Sequence, residues 1–263
     1  MTGTPTPPTS PGLAPAGMRR GRAVAEGAHG PHPGILAAVS LVVLLAALIA
    51  IAVGAGRSFI SPFAAASDVI AFYHDHPLAV RLSAMLQLGS AVPLGICAAT
   101  LYARQLRLGV RVPGPVIGLF GGATAAILLI CSASVTWVLS RPELTTDTTL
   151  TLALAYLAFV TGGVGYVVGQ GLLVAGVAVP ALILGLLPRW LAWVGLLVAA
   201  AAELSFLSMT IEPLQALLPI GRFGGLGWLI AAGFLLPRTR SAANRAEITG
   251  TEITGTGDAG DEA

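Results

Sequence analysis

The chain has 263 residues, 55% of them hydrophobic and 10% charged, with a formal net charge of +2. A soluble domain carries roughly a quarter charged residues and few unbroken apolar runs, so this composition excludes one and points to lipid as the solvent. So small a net charge argues against a nucleic-acid partner, and the glycines of "TGGVGYVVG" lie inside an apolar run rather than after a strand, which excludes a nucleotide loop.

Residues 1–33 are rich in Pro, Thr, Gly and Ala without apolar periodicity, so they are expected to be a disordered N-terminal segment. "MRRGR" fits either a twin-arginine export signal or the basic flank of an uncleaved helix. The run "ILAAVSLVVLLAALIAIAVGAG" exceeds a signal-peptide core and further apolar runs follow it, which favours the uncleaved helix.

A bilayer core of about 30 Å needs roughly 20 helical residues, and continuous apolar runs without alternation select helices over a barrel. The expected fold is therefore all-α, a polytopic bundle with spans at 35–54, 78–103, 115–139, 150–187, 189–211 and 218–236, followed by a disordered tail at 241–263. Pro77, Pro115 and Pro219 stand at or beside first helical positions, where a missing N–H costs nothing.

Between the first two spans, "SPFAAASDVIAFY" predicts a short helix lying on the membrane surface. His74, Asp75 and His76 follow it. The two histidines are weak metal candidates, because a site would need further ligands from Asp68, Glu143, Asp147 or Glu212. The simpler expectation is a polar collar, with Phe72 and Tyr73 as interfacial anchors.

Within the second span, Ser83, Gln87 and Ser90 fall at i, i+4 and i+7, with Cys97 further along the same face. Such a stripe faces protein or a water-filled cavity; ordinary interhelical hydrogen bonding is its alternative use. Arg81 and Glu203 are ionisable residues inside spans and are functional candidates because lipid makes them costly. Counting rise per residue puts Arg81 about 6 Å and Glu203 about 12 Å below one membrane face, a gap an arginine can bridge. The expected site is a polar cluster of Arg81, Gln87 and Glu203, with an Arg81–Glu203 ion pair and Ser83 and Ser90 in support.

The small-residue pairs Gly118/Gly122, Gly165/Gly169 and Gly221/Gly225 allow close helix approach, within one chain or in a homo-oligomer. The fourth run would make a helix of about 57 Å if unbroken. Splitting it near "VVGQGLL" would spoil the arginine distribution, so one long helix, tilted or bent near Pro180, is expected. With the N-terminus inside, Arg19, Arg20, Arg22, Arg104, Arg107, Arg111, Arg189, Arg238, Arg240 and Arg245 face the cytoplasm, leaving Arg57, Arg81, Arg141 and Arg222 opposite. That asymmetry places both termini in the cytoplasm.

Through "AVRLSAMLQLGSAVPLGICAATLYAR", "LAFVTGGVGYVVGQGLLVAGVAVPALILGLLPRWLAWVGLLVAAAAELS" and "GRFGGLGWLIAAGFLLPRTR", the chain resembles a group of actinobacterial multi-span membrane proteins. More distantly, it resembles the bacterial membrane family catalogued as domain of unknown function 4386. The resemblance covers residues 35–240 and implies a six-span protein of the bacterial cell (inner) membrane, with no catalytic residues to transfer. The expected partner is the lipid bilayer, no cofactor is implied, and the expected role is structural, sensing or partner-binding. Small-solute transport and a membrane-embedded enzyme are the alternatives.

Overall fold

The computed structural model describes residues 30–238, so most of the predicted N-terminal segment and all of the 241–263 tail lie outside the described residues. Helices account for every regular element among them, and six stretches are long and apolar enough to cross a membrane.

The first span is α1, Pro33–Gly54. A surface helix, α2, covers Ala66–Asp75, where "SPFAAASDVIAFY" predicted one, and buries Val69, Phe72 and Tyr73. The second span, α3, runs over Pro77–Arg107 with Pro77 in its first turn, and continues through Pro93. The third, α4, is Gly114–Leu139. The fourth is unbroken from Thr148 to Ile183, 36 residues or about 54 Å. It comprises α5 (Thr148–Phe159), a π-helical segment (Val160–Gly165) and α6 (Tyr166–Ile183). The fifth, Arg189–Met209, is α7 (Arg189–Leu204) with a 3-10 extension (Ser205–Met209).

The sixth span, Glu212–Leu235, is the least regular. It starts as a 3-10 segment (Glu212–Ala216) and a short α turn (Leu217–Pro219), passes through a second π segment (Ile220–Gly224) and ends as α8 (Gly225–Leu235).

The spans pack in a ring: α1 on α3, α3 on α4, α4 on α6, α6 on α7, and α8 back on α1. Between helices in lipid there is no hydrophobic driving force, so close contact of small residues supplies the attraction. At the α4–α6 crossing, Gly118 and Gly176 meet backbone to backbone; a Cβ on Gly118 would stand 3.4 Å from the Gly176 Cα. The Gly121 and Gly169 surfaces close the same seam, and Gly221 packs on Val167 and Ala202. The glycine faces that suggested a homo-oligomer are thus occupied by intrachain neighbours. Large apolar side chains such as Val42, Leu78, Phe120, Ile127 and Leu197 are exposed on the outside, as lipid contact requires.

Both ends of the described chain lie at one end of the bundle, here called the terminal end, which is tightly closed. The Arg104 guanidinium, 5% exposed, donates from Nη1 to the carbonyls of Gly233 (2.9 Å) and Leu236 (3.3 Å), capping α8. Cys97 Sγ donates to the Pro33 carbonyl at 3.4 Å, and the His32 ring lies 4.6 Å from that of Phe234. The opposite, looped end carries residues 55–76 and is built differently. Of the sixth span, α1 makes its main contacts with α8 and few with the π segment before it, so that the two diverge there.

Candidate functional site: an intrabundle cavity

That divergence opens a cavity of about 410 Å³ at the looped end. Its apolar wall comes chiefly from Leu44, Leu48, Phe59, Phe159, Leu218 and Phe223. Its polar wall comes from Tyr73, Ser83, Gln87, Ser132, Thr136, Gln215 and Arg222.

The helical stripe of the second span accounts for part of this wall. Ser83 and Gln87 line the cavity, whereas Ser90 and Cys97, further along the same face, stitch α3 into the bundle. Ser90 Oγ donates to the Gln87 carbonyl at 3.0 Å, and the Ser90 carbonyl accepts from Ser40 Oγ at 2.8 Å. The side chains of Ser83, Gln87 and Thr136 make no hydrogen bond to another described residue, so their polar atoms are uncommitted. Ser132 is spent, since its hydroxyl donates to the Ala158 carbonyl at 2.9 Å. Tyr73, on α2, is 2% exposed, and burial pushes its phenol above the ordinary range, so it stays protonated.

Both π segments border this space, the first through Gly162 and Gly163 and the second through Arg222 and Phe223. Such wide turns recur at functional sites because they displace backbone and side chains from regular helical positions. Gly162 is needed where it stands: a Cβ there would lie 2.6 Å from that of Ser132. Arg222 Nη2 donates to the Gly162 carbonyl, joining the two π segments, and its guanidinium carbon sits 5.0 Å from the centre of the Tyr166 ring. The Arg222 carbonyl in turn accepts from Gln170 Nε2 at 2.9 Å.

Among the described residues Arg222 has no carboxylate partner. The one ion pair among the described residues is His74–Asp75, 3.0 Å apart on the surface. Among the described residues that line the cavity, Arg222 is also the one that is charged.

The predicted Arg81–Glu203 pair is not formed, and neither residue reaches the cavity. The nearest polar partner of Arg81 is Ser140 Oγ, 3.5 Å from its Nε. Glu203 faces α6, where a Cβ on Gly171 would come within 2.8 Å of its Oε1, and that oxygen has no hydrogen-bond partner. Depth counting put Arg81 and Glu203 within an arginine's reach, but α7 packs on α6 rather than on α3, so similar depth does not bring them together. The residue missed was Arg222. Its signal was present, since it lies inside the predicted 218–236 span as an intramembrane cation. His74 and His76 stay on the surface helix and its cap, His76 with its ring 5.8 Å from that of Phe72. Among the described residues, no three His, Cys, Asp or Glu side chains converge as metal ligands.

Fold and site define the chain as a six-span membrane-type bundle with a mostly apolar cavity at its looped end. Compared with protein-family models, curated proteins and solved structures, it gives no match to any of them.

Proposed function

We propose that this is a multi-pass protein of the bacterial cell membrane that binds a small ligand in the cavity at its looped end, in a sensing or partner-binding role. The observation that carries the reading is the cavity wall itself. Ser83, Gln87 and Thr136 present uncommitted polar groups beside a continuous apolar surface, and both π segments border the space. A few convergent polar groups on a mostly apolar wall are what small-molecule sites have in common. Kinship with the actinobacterial membrane proteins and the wider family of domain 4386 belongs to the same proposal, as does the orientation with both termini in the cytoplasm.

The test is thermal stability of the purified protein in nanodiscs against a panel of amphiphiles and polar solutes, wild type beside Ala47→Phe, which fills the cavity from α1. A compound that binds only the folded state stabilises it by about 2.7 kcal/mol at a concentration one hundred times its Kd. Stabilisation of the wild type and none of the variant supports the reading. A flat panel, with the variant as stable as the wild type, would make the cavity a packing void.

Transport is the second reading, and the broken sixth span supports it, because discontinuous helices at a site are the usual architecture of carriers. It requires the terminal end to open where Arg104 holds Gly233 and Leu236. A disulfide staple between α1 and α8 at that end would abolish transport while leaving ligand binding intact.

A further inference from the structure

Resting on the binding reading above, we infer that the cavity's ligand is a single-chain amphiphile with one carboxylate, its head on Arg222 and its apolar body along α1 and the sixth span.

The charge of the ligand follows from what surrounds Arg222. Among the described residues its guanidinium is the one formal charge on the wall, and no acid pairs with it. In a water-poor site an unpaired charge is costly, so a neutral occupant leaves the cation bare and a second cation adds repulsion. A dianion would leave one negative charge uncompensated. A monoanion cancels the site's charge.

The head group follows from the donors. Arginine carries five N–H donors in a planar fork suited to carboxylate, and Arg222 gives one of its nitrogens to the Gly162 carbonyl. Ser83, Gln87 and Thr136 add uncommitted donors on the same wall. Tyr73, kept protonated by burial, adds another.

The body follows from the rest of the lining. Leu44, Leu48, Phe159, Leu218 and Phe223 offer an apolar surface. A volume of 410 Å³ is near the low end of the roughly 300–1,000 Å³ usual for small-molecule sites, which suits one chain and not two. Leu48 and Phe59, 38% and 37% exposed, are lining residues that also reach the outer surface of the bundle.

The experiment uses the whole protein in nanodiscs of zwitterionic phosphatidylcholine, with bound probe counted by native mass spectrometry. The probes are decanoate, decanol, decyltrimethylammonium and propionate. The expected result is one decanoate per protein, bound at least tenfold tighter than the other three. Binding should be lost in Arg222→Gln, retained in weakened form in Arg222→Lys, and blocked in Ala47→Phe.

Decanol matching decanoate, or decanoate held equally well by Arg222→Gln, overturns the anionic assignment; a block by Ala47→Phe would still leave the cavity as a binding site. Propionate matching decanoate overturns the amphiphile assignment and identifies a water-soluble anion instead. No probe bound at all defeats this inference, while stabilisation by some other compound would preserve the broader reading. Should Arg222→Gln fail to fold, the decanoate-against-decanol comparison on the wild type still decides.

Discussion

Arg222 and Glu203 are both ionisable residues inside apolar helices, yet they end in different settings. Arg222 looks into open volume with a carbonyl and an aromatic face for company, and Glu203 is pressed against a neighbouring glycine. Burial alone therefore does not mark a site; room for a partner does. His32 makes a further residue-scale point at the terminal end, outside the spans. Its imidazole is held below the ordinary 6.5, first by burial and then by the charges of Arg104 and Arg238. The unfolded chain thus takes up this proton at higher pH than the folded protein does. Its contribution to stability is present above 6.5 and is lost as pH falls through the lowered folded-state value. Melting curves between neutral and mildly acidic pH should show the wild type losing more stability than His32→Phe, which keeps the stacking on Phe234 without the titrating group.

At the scale of elements, the fourth span shows how far periodicity reads. Its continuity was legible because a split near "VVGQGLL" would have spoiled the arginine distribution, and Thr148–Ile183 is indeed unbroken. Its π segment was not legible, since the extra residue in that turn depends on Gly162 meeting Ser132 across the interface. The same dependence on neighbours sets what each glycine tolerates. Gly176→Leu, driven into the Gly118 backbone, should cost at least the roughly 1–3 kcal/mol of an overpacked contact. Gly227→Ala faces open space on α8 and should be neutral or slightly stabilising, as alanine's helix propensity exceeds glycine's by up to about 1 kcal/mol. Thermal unfolding of the two variants side by side checks the contrast.

For the whole molecule, an even number of spans returns the described ends to one side, with the 55–76 loop and the cavity at the other. In the orientation proposed above, the terminal end faces the cytoplasm. In a background with Cys97 and Cys131 replaced by alanine, Ser58→Cys should be labelled by an impermeant maleimide on intact cells, and Gly109→Cys only after permeabilisation; the reverse pattern would invert the topology. What the sequence determined by itself was the architecture: the all-helical class, six spans, the surface helix and the inward face of Ser83, Gln87, Ser90 and Cys97. These follow from lipid's refusal to hydrogen-bond and from the helical repeat, both of which act locally along the chain. What only the tertiary structure decided was which residues meet. Depth can be counted along a helix, but rotation and neighbour choice arise from small-residue contacts far apart in sequence. Those contacts parted Arg81 from Glu203, joined Arg222 to Gly162, and opened the cavity where α1 leaves the sixth span.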